Sequence, residues 1–319
     1  MSIFSQKTVP VATKTEEKDF VKDFTPVPKD LEASGRIHRR SLTYWQGALL
    51  TLRRNHSAMI GLAFIIIVIL IGIIGPILYP DYMKTNMLAT LQAPSEKHWF
   101  GTDLLGRDTF TRLLWGTRTS LMIGFVAETI NLVIGILYGG ISGFVGGKTD
   151  VIMMRIIDVF VSIPQMIILI LLQTVMSNGV PTLIFSLCVT GWTGLARMVR
   201  GQVMALRENE YVSASLVLGA GRWEILKRHL LPNAVGPILV NYTMSIPGAI
   251  GAEAFLSYIG LGIPVPAASW GNMLQEGANQ FPGSLWLFFS PAILFGLFML
   301  AFNLFGDGLR DALDPKMRR

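Results

Sequence analysis

The chain is poor in charge: Asp, Glu, Lys and Arg make up 15% of its 319 residues, whereas a soluble domain carries about 25%. Hydrophobic residues make up 51%. The charges that are present collect in a few blocks, and the runs between these blocks are nearly free of charge. Because a helix needs about 20 apolar residues to cross about 30 Å of hydrocarbon, this distribution predicts a membrane protein with several spans.

Cysteine and histidine are also scarce. The one cysteine, Cys188, lies inside an apolar run and can form no disulfide within the chain, so we interpret it as a small residue that faces lipid or a neighbouring helix. None of the four histidines lies in the middle of an apolar run, and no two are close in sequence. This spacing predicts no metal site and no catalytic Ser-His pair, which disfavours a membrane-embedded enzyme.

A complete phosphate-binding loop is missing as well. Gly146-Gly147-Lys148-Thr149 looks like the end of such a loop, but Ser142 stands where its first glycine is required. We interpret residues 146–150 as a short cytoplasmic turn between two spans, so the chain is expected to have no ATPase of its own. No Lys/Arg cluster with interleaved aromatics stands alone, so a nucleic-acid partner is not expected despite the net charge of +6.

The first 35 residues have no apolar core of the kind that a signal peptide needs, and they are rich in Lys, Glu, Thr and Pro. They predict a flexible cytoplasmic tail at 1–35. We expect an N-terminal region at 36–118, with the first span and an external loop. A core at 119–319 would follow, with five spans and cytoplasmic helices at about 197–233.

Six apolar runs predict six transmembrane helices and therefore an all-α integral membrane fold. The second, fourth and fifth runs are rich in Gly, Ala and Ser, which let helix backbones approach closely, so these spans are expected to face partners. The predicted spans lie near 58–79, 119–144, 151–176, 180–196, 234–261 and 285–306.

The placement of Lys and Arg predicts the orientation, because cytoplasmic loops carry an excess of both. Basic residues cluster before the first span, within 197–233 and after the last span, whereas 262–284 has none. With six spans, both termini and 197–233 are predicted to be cytoplasmic. One loop disagrees with the rule, since 80–118 must be external and yet carries Lys84, Lys97, Arg107, Arg112 and Arg118.

Four ionisable residues lie inside predicted spans, where burying a charge is costly and a functional role is the default hypothesis. Arg155 and Asp158 are three residues apart on one helix, so we interpret them as an ion pair at the membrane edge. Glu128 and Glu253 have no partner nearby in sequence and must face the bundle interior or a water-filled path. They are the candidates for the substrate path, with a proton relay and plain polar packing both left open.

A charged segment at Glu210–Asn233 separates the fourth and fifth spans and predicts a helix–turn–helix in the cytoplasm. Gly219 and Gly221 suggest a bend between the helices, and Pro232 suits a helix start. Either lipid headgroups or a soluble partner would suit such a segment. Its apolar positions at helical spacing are Tyr211, Ala214 and Leu218, followed by Trp223, Leu226 and Leu230.

This segment resembles the cytoplasmic signature of permease subunits in bacterial ABC importers, E-A-A-x3-G-x9-I-x-L-P. The matching positions are Ser213-Ala214-Ser215, Gly219, His229 and Leu231-Pro232. Gly219 and Leu231-Pro232 fall at the right spacing, whereas Ser213, Ser215 and His229 replace the Glu, the second Ala and the Ile.

Other stretches resemble the C-type permease subunit of oligopeptide and dipeptide importers, a group that also includes nickel permeases. Together with the signature, they cover most of residues 44–316. They are HWFGTDLLGRDTFTRLLWGTRTSL (98–121), ISGFVGGKTDVIMMRIIDVFVSIP (141–164), EAFLSYIGLGIPVPAASWGNML (253–274) and LAFNLFGDGLRDALDPK (300–316).

The resemblance implies a type I ABC importer permease fold in the cell membrane and no enzymatic activity in this chain. It also implies a related second membrane subunit, two ATPase subunits that bind ATP and Mg, and an external peptide-binding protein. The 210–232 helix pair would couple this chain to an ATPase. The coupling residues would be Glu210, Ser213, Ala214, Gly219, Leu231 and Pro232.

The replacement of the signature Glu by Ser213 raises the question of which residue supplies the missing carboxylate. The carboxylate that the family places at Ser213 is missing, and Glu210 lies one helical turn earlier on the same face. We therefore hypothesise that Glu210 takes over part of the anchoring. A permease for nickel or another small solute, and a proton-coupled secondary transporter using Glu128 and Glu253, are the alternative functions.

Overall fold

The computed structural model describes residues 43–314, excluding the Arg222 side chain. The predicted tail at 1–35 and the basic residues within 36–40 and 316–319 lie outside the described residues. No β-strand occurs in the described range, which confirms the all-α prediction. The helices are α1 (Tyr44–Arg54), α2 (His56–Leu78), α3 (Thr109–Val145), α4 (Gly147–Ser162), α5 (Gln165–Val175), α6 (Val180–Thr190), α7 (Trp192–Arg207), α8 (Glu210–Val217), α9 (Arg222–Ile225), α10 (Leu231–Tyr258), α11 (Trp270–Asn279) and α12 (Leu285–Leu313).

Within residues 43–314, four helices are long and apolar enough to cross a membrane by themselves: α2, α3, α12 and the run Val180–Arg207 formed by α6 and α7. Helices α4 and α5 are together long and apolar enough to form one more span, with a bend of 75° between them. Counting this pair as one span gives five spans in the described residues. Helix α10 is 28 residues long but is not among them. Its Asn, Thr, Ser and Glu residues lower its hydropathy, so the count of six spans stays a prediction.

Polar N-caps set the start of the first two long helices. The Asn55 side chain accepts a hydrogen bond from the Ala58 N–H at 3.1 Å, just before α2. Asp108 does the same before α3, where one carboxylate oxygen accepts from the N–H of Thr111 at 2.8 Å and from its hydroxyl at 2.7 Å. Such caps satisfy N–H groups that have no partner within a helix. Helix α3 therefore begins ten residues before the predicted span at 119–144.

Helix α3 is the central element of the bundle, because it packs against α2, α6, α7 and α10. Gly135, Gly139 and Gly143 recur every fourth residue along the face that meets α7. A Cβ on Gly139 would lie 2.3 Å from the Ala196 carbonyl oxygen, and one on Gly143 would lie 2.7 Å from that of Arg200. The backbones are thus in direct contact, and the close approach predicted for the second span is present.

A buried cluster of charges joins the loop before α3 to α11. Asp103 accepts hydrogen bonds from Arg107 Nε and Arg112 Nη1, both at 2.6 Å. Arg112 also binds Glu276 of α11 through both terminal nitrogens, with Nη2 at 2.8 Å from Oε1. Arg107 and Arg112 are two of the five basic residues that disagree with the orientation rule. They therefore have a structural role, because they connect the loop before α3 to α11.

The contact between α3 and α7 generates a stability prediction. Replacing Gly139 with Ala places a methyl group against a carbonyl oxygen, so we expect Gly139→Ala to destabilise the protein by about 1–3 kcal/mol through overpacking. Thermal unfolding of the purified chain in detergent measures this loss. Gly201→Ala is the matched control, since no described atom lies within 4 Å of its added carbon. Equal melting temperatures for the two variants would contradict the close helix contact.

Candidate functional site

The segment between α7 and α10, which we call the connector (residues 208–230), packs on the bundle through one apolar face. Its buried members are Val212 of α8, Ile225 of α9, and Leu226 and Leu230 of a short π-helical stretch at Leu226–Leu230. They form one cluster with α7 and with the first turns of α10. The connector is therefore packed against both helices.

A Schellman motif at Gly219 ends α8. Gly219 has φ +87°, its N–H donates to the Leu216 carbonyl oxygen at 3.0 Å, and the Ala220 N–H donates to that of Ser215 at 3.0 Å. This pair of bonds with a left-handed residue between them is a standard way to close a helix. No described atom lies within 4 Å of a Cβ built on Gly219, so its backbone angle alone favours glycine. The predicted bend is present.

Other large apolar side chains of the connector are exposed. Val217 and Leu218 are each 87% exposed, and Trp223 is 59% exposed. Of the six positions of the predicted apolar stripe, Leu226 and Leu230 are buried. The other four are exposed: Tyr211, Ala214, Leu218 and Trp223. A cluster of exposed apolar side chains marks an interaction surface.

The other predicted coupling residues lie in the connector and at the start of α10. Glu210 is the first residue of α8, and Glu210, Ser213 and Ala214 are all exposed. Leu231 and Pro232 begin α10, which continues from the π-helical stretch without a break. Pro232 thus lies in the first turn of α10, as its suitability for a helix start predicts, and the connector is joined to α10 through continuous helix.

Ion pairs and hydrogen bonds fix the end of α7 from which the connector leaves. Asp150, in the first turn of α4, binds Arg200 with 2.6 Å between Oδ2 and Nη2, and it accepts from the Ser142 hydroxyl at 2.6 Å. Arg207 Nη1 donates to the Phe144 carbonyl oxygen at 2.9 Å. The turn predicted at 146–150 is shorter in the structure, because Gly146, with φ +69°, ends α3 and residues 147–150 already belong to α4. These contacts tie α7 to the ends of both α3 and α4.

Glu253 is completely buried and is surrounded by hydroxyl groups. Ser257 donates to its Oε1 at 2.8 Å, and Ser120 of α3 donates to its Oε2 at 2.9 Å. The Ser120 hydroxyl oxygen in turn accepts from the Trp270 backbone N–H of α11 at 3.1 Å. Glu253 therefore connects α10, α3 and α11, and it lies away from every exposed surface in this conformation.

Glu128 lies closer to the surface, between α3 and α10. Ser245 donates to its Oε2 at 2.6 Å, and Asn131 donates to its Oε1 at 3.2 Å. On the neighbouring position, Thr129 and Tyr242 share a hydrogen bond of 2.9 Å between their hydroxyl oxygens. The structure thus gives both predicted carboxylates neutral hydrogen-bond donors, and it does not bring the two together in one network.

Arg155 and Asp158 do form the predicted pair, with 3.5 Å between Nη1 and Oδ2. Sequence reasoning missed a closer partner, Arg197 of α7, whose Nη2 lies 2.6 Å from Asp158 Oδ1. A contact across 39 residues has no local sequence signal. Within residues 43–314, no group of three or more His, Cys, Asp and Glu side chains is placed to hold a metal ion.

Two protein-family models match this chain. The model described as "Binding-protein-dependent transport system inner membrane component" matches residues 132–319, and "N-terminal TM domain of oligopeptide transport permease C" matches residues 43–94. The first match contains the connector, and the second contains α1 and α2.

Curated relatives cover nearly the whole chain. It is 46% identical to the oligopeptide transport system permease protein OppC of Bacillus subtilis, over 93% of this chain and 97% of that protein. It is also 46% identical to the dipeptide transport system permease protein DppC of the same organism, over 91% of each. Haemophilus influenzae OppC is 38% identical over 98% of this chain and 99% of that protein.

A solved structure with the same fold is an inward-facing form of the MetNI methionine ABC transporter. The match has a TM-score of 0.53 and 23% identity, and it covers 64% of this chain and 96% of that chain.

Proposed function

Since the chain belongs to the family of binding-protein-dependent transport system inner membrane components, we propose that it is a permease subunit of an ATP-driven peptide importer. The observation that carries this proposal is its 46% identity, over more than nine-tenths of its length, to permeases of oligopeptide and dipeptide transport systems. The same relatives favour peptides over nickel as the transported class.

The proposed assembly contains a second, related permease subunit, two ATPase subunits and an extracytoplasmic peptide-binding protein. ATP and Mg would be bound by the ATPase subunits, and this chain would hydrolyse nothing itself. The sequence supports this division because its one partial phosphate loop lacks the required glycine at Ser142. The exposed apolar face of the connector supports a soluble partner at that surface.

We place the chain in the inner or cytoplasmic membrane, with six spans and both termini in the cytoplasm. The connector would then lie in the cytoplasm, and the loop that precedes α3 would lie outside. The concentration of Lys and Arg within 197–233, and their absence from 262–284, support this orientation. Helix α10 would be the additional span, the fifth along the chain.

In this proposal the connector transmits movement from an ATPase subunit to α7 and α10. An ATPase that moves against Val217, Leu218 and Trp223 pushes on a segment whose opposite face is packed into the bundle. Through Leu230 and the continuous helix that follows, the push reaches α10. Through Val212, it reaches α7. Closure of the ATPase pair would in this way tilt the two helices between two arrangements.

The proposed function predicts a simple uptake result. Deleting the gene should abolish uptake of labelled di- or oligopeptides by the host, and returning the gene should restore it. Depleting ATP while the proton gradient is kept should stop uptake, whereas collapsing the gradient while ATP is kept should not. Uptake that follows the proton gradient and ignores ATP would identify a secondary transporter instead.

A second prediction concerns the turn at Gly219. Gly219→Val places a β-branched residue at positive φ, at a cost of about 1–3 kcal/mol in backbone strain, and should misdirect α8. We expect the variant to reach the membrane but to lose most ATP-driven uptake. Gly221→Val is the matched control, because Gly221 has neither a positive φ nor a close neighbour. Normal uptake by Gly219→Val would remove the turn from the coupling mechanism.

A third prediction concerns the missing carboxylate. Glu210 is exposed at the start of α8, and Glu210→Ala should weaken attachment of the ATPase and reduce uptake if it replaces the carboxylate absent at Ser213. Copurification of the ATPase with the tagged permease measures the attachment. Glu208→Ala, at an exposed position outside α8, serves as the control. Unchanged copurification and uptake in Glu210→Ala would show that Glu210 does not replace the carboxylate that is absent at Ser213.

A further inference from the structure

The span formed by α4 and α5 is broken between Ser162 and Gln165, where the chain turns by 75°. Pro164 causes the break, because a proline disfavours helical angles in the residue before it. Ile163 accordingly adopts an extended conformation, with φ −98° and ψ 127°. By length and composition the two halves together suit one broken membrane span or a re-entrant loop, and in either case the break would lie at the depth of the membrane.

The break leaves main-chain groups without partners. A helix cannot satisfy its last four carbonyl oxygens, which in α4 belong to residues 159–162. The Val159 carbonyl oxygen accepts from the Ser162 hydroxyl at 2.7 Å. Among residues 43–314, no hydrogen bond to the carbonyl oxygens of Phe160, Val161 or Ser162 is formed across the break. Residues 161–167 are all exposed, and lipid chains offer no hydrogen-bond donor to them.

A polar stripe leads along α4 to the same place. Arg155, Asp158 and Ser162 follow at spacings of three and four, which puts them on one helix face. All three are exposed, and the Arg155 side chain is 80% exposed although it pairs with Asp158. Gln165 adds an exposed amide on the far side of the break. Charged and polar side chains inside a span face water or protein rather than lipid.

We propose that this break lines the peptide path, and that the carbonyl oxygens of residues 160–162 accept hydrogen bonds from main-chain N–H groups of the passing peptide. The proposal rests on the function proposed above and adds to it the chemistry that is recognised. Main-chain N–H groups occur in every peptide, so such a contact accepts many sequences. The Gln165 amide can donate to the peptide's carbonyl oxygens or accept from its N–H groups.

A helix of the second permease subunit is the other candidate occupant. The N–H groups of a transmembrane helix are already bonded within the helix, so it has few main-chain donors to offer the break. An extended peptide has its N–H groups free. Main-chain complementarity therefore favours the transported peptide at this position.

Cysteine reactivity tests the proposal in the complete transporter, held in lipid nanodiscs. Cys188 is the one cysteine of this chain, so Cys188→Ser provides a background for Ser162→Cys or, as a second reporter, Gln165→Cys. We expect a membrane-impermeant thiol reagent to label both reporters. Labelling should be lost when ATP, the binding protein and a transported peptide are present. Ile73→Cys on α2, where Ile73 is 56% exposed and surrounded by apolar residues, is the lipid-facing control and should stay unlabelled.

The outcomes separate the two proposals. Reporters that remain unlabelled would mean that the second permease subunit or lipid covers the break, and this would overturn the inference. Labelling that peptide does not reduce would also overturn it, because the break would then face water without touching the peptide. Peptide uptake by the Cys188→Ser parent in proteoliposomes is measured separately, and its absence would count against the proposed function rather than against the site.

Discussion

The bilayer offers no hydrogen bonds, and this single constraint governs where the polar groups of the protein lie. Glu253 is buried and accepts hydrogen bonds from the hydroxyl groups of Ser120 and Ser257, and the Ser120 oxygen accepts in turn from the Trp270 N–H of α11. Burial inside protein imposes the same requirement on the loop before α3, where Arg107 and Arg112 are balanced by Asp103 and by Glu276 of α11. In both places the polar groups join elements that are distant in sequence. The pairing that burial requires therefore also determines which elements are held together.

On the apolar surfaces of the helices, small residues allow close packing. Along α3, glycines bring the backbone of α7 into contact, and a clash follows if a methyl group is added at Gly139. Packing this tight resists sliding, so displacement of one helix carries its neighbour with it. The connector is fixed to this rigid pair through Val212 and Leu230. Tight helix contacts in the membrane and a firmly seated connector are thus two parts of one mechanical unit.

Much of this structure could be predicted from local sequence signals. The apolar runs predicted the helical fold and the bounds of α2 within two residues, and Gly219 predicted the bend in the connector. The start of α3 at Thr109 could also have been predicted from the sequence, because Asp108 is a good N-cap residue. The exposed Trp223 and the Asp158–Arg197 pair were not predictable. They depend on how a turn rotates one helix against another, and on contacts between residues far apart in the chain.

The turn at Gly219 is closed by two backbone hydrogen bonds, and a Cβ added at Gly219 would meet open space. Shape and surface chemistry are therefore separable in the connector. If the connector binds an ATPase as proposed, substitutions at Val217, Leu218 or Trp223 would change that contact without altering the direction in which the connector points. A lineage could then exchange one ATPase subunit for another through a few exposed positions of the permease.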